Sequence, residues 1–82
     1  MHRPIFDAMK VLLFGYIAEQ AGTEVVEVEA ASLEALRMAL AAHIPEIGSL
    51  SYAIAVDRTI VHDDRPLLGH EEVAVLPPFA GG

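Results

Sequence analysis

The chain has 82 residues, 54% of them hydrophobic and 21% charged, and its 12 acidic against 5 basic residues give a formal net charge of −7. This length fits one small domain. An acidic chain is poorly suited to nucleic acid or an anionic membrane, so we expect neither as a partner. The chain has no cysteine, which excludes disulfides and fits the reducing cytosol. No apolar run approaches the roughly 20 residues of a membrane span.

The first third of the chain predicts two strands after an irregular start. Residues 1–8 are aperiodic and predict a loosely ordered extension, either added for expression or produced by an upstream start. Residues 10–17 (KVLLFGYI) are β-prone, and residues 23–29 alternate valine with glutamate, as an edge strand does. Both faces of the first strand are apolar, and Leu12 and Phe14 share one of them. The pattern therefore predicts a central strand or a strand with an exposed patch.

A helix is predicted next, because Ser32 is a good N-cap and Glu34 complements the positive end of the helix dipole. Apolar residues then recur at three- and four-residue spacing and give the helix one apolar face. These residues are Leu33, Leu36, Leu40 and Ile44. Pro45 should end the helix, and a loop or short irregular turn should follow it.

Three more strands are predicted at residues 52–56, 59–61 and 72–76, with Asp57–Arg58 as the tip of a tight hairpin. The predicted order is therefore β-β-α-β-β-β. One helix of about three turns covers only one face of a sheet, which predicts a two-layer α+β fold. The other face should be left to solvent or to a partner. By strand parity it should carry Leu12, Phe14, Ala74 and Leu76, and Ile60 could join them.

The last six residues, 77–82 (PPFAGG), follow the final strand and have little to contribute to a core. Two prolines end the strand because neither can donate a ladder hydrogen bond. Gly81 and Gly82 make the thinnest possible polypeptide, so their carboxylate could enter a channel that any Cβ would block. A frayed terminus is the alternative interpretation.

Three stretches carry a resemblance to a known family: the opening KVLLFGYIAEQAGTE, the helix signal SLEALRMAL and the ending EEVAVLPPFAGG. Together they resemble the small subunit of molybdopterin synthase, the MoaD type within the MoaD/ThiS sulfur-carrier family, over residues 9–82. The resemblance implies a β-grasp (ubiquitin-like) fold, with a mixed four- to five-stranded sheet and one main helix on one face. It implies a β-grasp domain at residues 9–76 and a flexible sulfur-carrier tail at residues 77–82.

The resemblance also implies a function in molybdenum cofactor biosynthesis. An E1-like adenylating enzyme (MoeB-type) would use ATP to adenylate Gly82, and sulfur would then replace AMP to leave 1-thioglycine, a thiocarboxylate. The tail would insert into the large subunit (MoaE-type) of a heterotetrameric synthase and give its sulfur to cyclic pyranopterin monophosphate. On this interpretation the chain is a cytoplasmic protein cosubstrate. It is not an enzyme on its own, and it holds no bound cofactor.

The residues implied for this role form two groups. Gly82 is the reactive residue and Gly81 its slim neighbour. Contacts with the partner proteins would come from Phe14, Ile60, Leu76, Pro77, Pro78, Phe79 and Ala80. Phe79 is bulkier than the residue usual before the last three positions.

Two alternatives stay open: a ThiS-like sulfur carrier for thiamine biosynthesis, and a non-catalytic β-grasp interaction module whose tail is incidental. The two prolines and the length favour the molybdopterin branch. The stretches His62–Asp64 and His70–Glu72 invite a metal hypothesis. However, adjacent residues rarely converge on one ion, so we expect no metal site.

Overall fold

The computed structural model describes residues 8–78 of the chain. Residues 1–7 and 79–82 lie outside the described part. The predicted N-terminal extension, apart from Ala8, and the last four residues of the predicted tail are therefore not tested. The elements in chain order are β1 (Met9–Leu13), α1 (Gly15–Ala21), β2 (Val25–Val28), α2 (Leu33–His43), a 3₁₀ helix (Pro45–Ser49), β3 (Ala53–Val56), β4 (Thr59–Val61) and β5 (Val73–Leu76).

The strands of this part of the chain form one five-stranded sheet in the order β2-β1-β5-β3-β4. β1 and β5 run parallel, and the other neighbours are antiparallel. The parallel pair brings the first and last strands together at the centre, so the chain leaves the sheet from its middle. This is the mixed sheet of an α+β, ubiquitin-like β-grasp fold, as expected.

α2 forms for the predicted reasons. The Ala35 N–H donates to Ser32 Oγ at 3.1 Å, so Ser32 caps the first turn. The helix ends at His43, just before Pro45. Its leucines are almost completely buried against the core-facing strand residues, and this burial is the main support of the helix. The most enclosed side chains are Val11, Ile17, Leu33, Leu36, Leu40, Ile44, Ile47, Ile54, Val73 and Val75.

The prediction of a first strand running to residue 17 is wrong. β1 ends at Leu13, and Gly15, with a φ of 58°, turns the chain into α1, which makes the order β-α-β-α-β-β-β. Ile17 is fully buried in the core as a helical residue. Tyr16 also belongs to α1, and its hydroxyl donates to the Ser51 carbonyl at 2.6 Å. The β-prone composition of this stretch was overridden by the turn at Gly15 and by the tertiary packing of Ile17.

The remaining elements lie close to their predicted places. β2, β3 and β5 are each shorter than predicted by one or more residues at an end. β2 is an edge strand, as its valine–glutamate alternation predicted. The Asp57–Arg58 hairpin is confirmed, and both residues have positive φ, 52° and 69°, as a tight two-residue β-turn requires.

Candidate functional site: an apolar sheet face and the base of the tail

One row of apolar side chains crosses the sheet on the side away from α2. Leu12 lies opposite Val25 on one side and Ala74 on the other. Ala74 lies opposite Ala55, and Ala55 lies opposite Ile60. Residues opposite each other in a sheet share a face, so these five side chains point the same way. With the neighbouring row they make the surface called here the apolar face: Leu12, Phe14, Val25, Ala53, Ala55, Ile60, Ala74 and Leu76.

Phe14 and Leu76 belong to this face at the end where the tail begins. Phe14 follows β1 in an extended conformation, and its N–H donates to the Val75 carbonyl at 3.0 Å, which continues the parallel ladder beside Leu76. Its side chain is 49% exposed. Leu76 lies opposite Ala53 and is half-buried. Phe14, Leu76 and Ile60, the three residues predicted for the contact patch, therefore lie on one side of the sheet.

The two sides of the sheet differ in what covers them. Val11, Leu13 and Val75 alternate with the residues of the apolar face and belong to the core under α2. Within residues 8–78, the helices pack on that core side. Phe14 and Val25 are among the large apolar residues that remain exposed. A contiguous apolar patch on a small domain is a typical protein interaction surface.

A groove of about 570 Å³ borders the apolar face between the end of β1 and α1. Its floor is apolar, and two carboxylates, Glu19 and Glu24, stand among its lining residues. An apolar surface edged by carboxylates fits a partner that presents apolar side chains beside a basic group. The lining residues are Leu12, Leu13, Phe14, Gly15, Ala18, Glu19 and Glu24.

The base of the tail lies next to this groove. Pro77 is half-buried and packs on Gly15, whereas Pro78 is exposed. Phe79, Ala80, Gly81 and Gly82 lie outside the described residues, so their predicted roles stay predictions. What the structure adds is the starting point of the tail, which is the end of a central strand beside the apolar face.

A carboxylate organises the turn that leads into β5. The N–H groups of Leu68 and Gly69 donate to the two oxygens of Glu71 at 2.8 and 3.0 Å. Partial burial alone would raise the pKa of Glu71. The backbone N–H groups and the nearby His70 outweigh that effect and hold this pKa below its ordinary value.

Comparisons with known proteins agree with this architecture. The sequence model described as the ThiS family matches residues 11–82. The molybdopterin synthase sulfur carrier subunit of Escherichia coli (strain K12) is 40% identical, and the alignment covers 90% of this chain and 99% of that protein. The chain belongs to the ThiS family.

Solved structures support the fold of this ThiS-family chain. A chain in the protein-protein complex of subunits 1 and 2 of molybdopterin-converting factor from Helicobacter pylori 26695 is similar, with a TM-score of 0.66 and 26% identity, and the match covers 92% of this chain and 99% of that one. The small archaeal modifier protein 1 of H. volcanii has a TM-score of 0.78 at 21% identity, covering 89% and 99%. The second likeness, at this low identity, concerns the fold alone.

Two features of this ThiS-family chain were not found by sequence reasoning: α1 and the contact between Gly15 and Pro77. A signal for α1 was present, because Ile17 and Ala21 are four residues apart between two glycines that bound a helical turn.

In the described part of the chain, no group of three or more His, Asp or Glu side chains could hold a metal ion. No helix in that part is both long and apolar enough to cross a membrane.

Replacing Glu71 by glutamine should lower the free energy of unfolding by about 1 kcal/mol near neutral pH, since one of the two accepting oxygens is lost and solvent screens the rest. Because the pKa of Glu71 is lowered by folding, its contribution is present above the unfolded pKa and disappears as pH falls through the folded pKa. Urea unfolding at about pH 7 and about pH 3 measures both effects. The exposed Glu46→Gln is the control. If the free energies of unfolding of Glu71→Gln and the parent differed by the same amount at both pH values, this role would be contradicted.

Proposed function

We propose that this chain is the sulfur-carrier small subunit of a molybdopterin synthase. The observation that carries the proposal is the 40% identity to the Escherichia coli carrier subunit across 99% of its length. The family match also extends through Gly82, the last residue of the chain. The family match therefore includes the terminal glycine pair that a carrier needs.

The chemistry proposed for this chain takes place at one carboxylate. An unactivated carboxylate is a poor electrophile. In the first step a Gly82 carboxylate oxygen attacks the α-phosphorus of ATP, and pyrophosphate leaves. In the second step a hydrosulfide ion attacks the acyl carbon and AMP leaves, and loss of the sulfur-bound proton gives the thiocarboxylate. Both steps belong to the active site of an E1-like adenylating enzyme (MoeB-type), in the cytoplasm, and the carrier supplies the substrate carboxylate.

The placement of the tail base supports this proposal. Residues 77–82 can extend roughly 20 Å at 3.3–3.6 Å per residue, so Gly82 can reach into a partner while the domain stays on the partner's surface. The tail begins beside Leu76 and Phe14, at the edge of the apolar face. One partner can therefore bind the face and receive the tail in the same encounter.

We propose the large synthase subunit (MoaE-type) and the adenylating enzyme as the two proteins that bind the apolar face. The Helicobacter pylori relative was solved as a complex of subunits 1 and 2 of its molybdopterin-converting factor. The net charge of −7 and the carboxylates Glu19 and Glu24 favour a partner surface with basic groups around an apolar centre. Both partners need the face and the tail that begins beside it, so we expect them to compete for binding to this chain.

Mass spectrometry tests the carrier role. The purified protein is incubated with ATP, a sulfur source and a MoeB-type adenylating enzyme, with a variant that lacks Gly82 as the control. The expected product is the parent chain with one C-terminal oxygen replaced by sulfur, and no change in the control. A parent chain that stays unmodified under conditions in which the Escherichia coli carrier is converted would contradict the proposal.

A second measurement separates the pathway branches. The thiocarboxylate form is mixed with the large synthase subunit and cyclic pyranopterin monophosphate, and in parallel with a thiamine-pathway acceptor. We expect sulfur transfer to the pterin only. Transfer only to the thiamine acceptor would assign a ThiS-like carrier, and a chain that binds partners without ever being adenylated would be a plain interaction module.

A further inference from the structure

Gly15, at the start of α1, lies close to Pro77, the first residue of the tail. A Cβ placed on Gly15 would lie 2.7 Å from Pro77 Cγ and 3.2 Å from Pro77 Cδ. The first distance is well below the roughly 3.5–4.0 Å at which two carbon atoms pack favourably. The proline ring therefore occupies the space that any other residue at position 15 would need.

The other end of α1 provides an internal comparison. Gly22, at the C-cap, also has a positive φ, 75° against 58° for Gly15. A Cβ on Gly22 would meet nothing within 4 Å. Both glycines thus permit a left-handed backbone, but only Gly15 also has the tail packed on it.

Among the described residues, no backbone hydrogen bond holds Pro77, the first residue of the tail, in the sheet, and its carbonyl accepts none there. The ladder extends to Leu76, which lies opposite Ala53, and Phe14 still donates to the Val75 carbonyl. Pro77 has no N–H to donate, so its position depends on packing. In the described part of the tail, the packing shown for Pro77 is against Gly15. A shift of Pro77 moves the point from which the rest of the tail leaves the domain.

We propose that Gly15 is a positioning residue for the tail: its missing Cβ makes a seat for Pro77 and so sets the direction in which residues 78–82 leave the domain. The inference rests on the proposed carrier function, for which it names a further determinant. A seated tail is already aimed when the apolar face binds. An unseated tail samples other directions, and only the fraction pointing correctly can enter the partner's site, which lowers apparent affinity in proportion to that fraction.

The test compares Gly15→Ala with Gly22→Ala, because both variants place an alanine at a positive φ. Circular dichroism should show that both variants fold, and thermal unfolding should show the cost of the positive φ in both and a further loss in Gly15→Ala, whose Cβ also displaces Pro77. In adenylation by the MoeB-type enzyme, we expect Gly15→Ala to raise the KM for the carrier about tenfold above that of Gly22→Ala, with little change in kcat.

A structural measurement keeps the inference testable if Gly15→Ala does not fold. In the parent protein, NMR should show nuclear Overhauser contacts between the Gly15 Hα protons and the Pro77 ring, and their absence would overturn the seat. Equal KM values for Gly15→Ala and Gly22→Ala would also overturn it. A parent chain that is never adenylated would overturn the carrier proposal itself, so the two failures are distinguishable.

Discussion

A carrier with one alanine added after Gly82 should lose sulfur transfer by a hundredfold or more. The extra residue moves the carboxylate about 3.5 Å farther from the domain and places a methyl group beside it. Reacting groups must be placed within about an ångström, and larger errors cost about two orders of magnitude. Adenylation and sulfur transfer by the MoeB-type enzyme and the large subunit measure the effect.

Gly81→Val is the informative companion, since it keeps the length of the tail. A branched Cβ restricts the backbone and widens the tail. The tail should therefore still be long enough to reach the partner's site but too wide to enter it. Neither change alters a residue of the described core, so the free energy of unfolding should stay within about 0.5 kcal/mol of the parent for both variants. Normal sulfur transfer by the alanine-extended form would show that the glycine carboxylate is not the working group.

The sequence predicted those elements whose conformation depends mainly on neighbouring residues in the chain. α2 could be predicted because Leu33, Leu36 and Leu40 mark one helical face and Ser32 provides the cap. α1 could not be predicted in the same way. KVLLFGYI contains β-prone residues throughout, and the change of conformation depends on Gly15 and on the burial of Ile17 against residues from distant parts of the chain.

The candidate site likewise has a part that local sequence patterns predicted and a part that they did not. Strand parity placed Leu76 and Ile60 on the open side of the sheet, because alternation within a strand is a local property. Phe14 was assigned to the correct side, although it lies just past the end of β1. The contact between Gly15 and Pro77 depends on the parallel pairing of β1 with β5, which no local pattern encodes.

The apolar face should lose its partners when a charge is placed in it. Phe14→Arg introduces a guanidinium that binding would bury without a partner, and it adds like charge opposite the basic groups expected on the partner. We expect affinity for both the large subunit and the adenylating enzyme to fall by at least about 2 kcal/mol, or roughly thirtyfold in Kd. Calorimetry with each partner measures the loss.

Met38→Arg is the matched control, because Met38 is 69% exposed on α2, in the opposite layer, whereas Phe14 is 49% exposed on the apolar face. The free energy of unfolding of both variants should lie within about 1 kcal/mol of that of the parent, since the new charge remains in water in the free protein. Only Phe14→Arg should weaken binding. If Phe14→Arg unfolded the domain, its side chain would not be on an open face. If both variants bound normally, the partners would contact another surface, and the tail would act without help from the sheet.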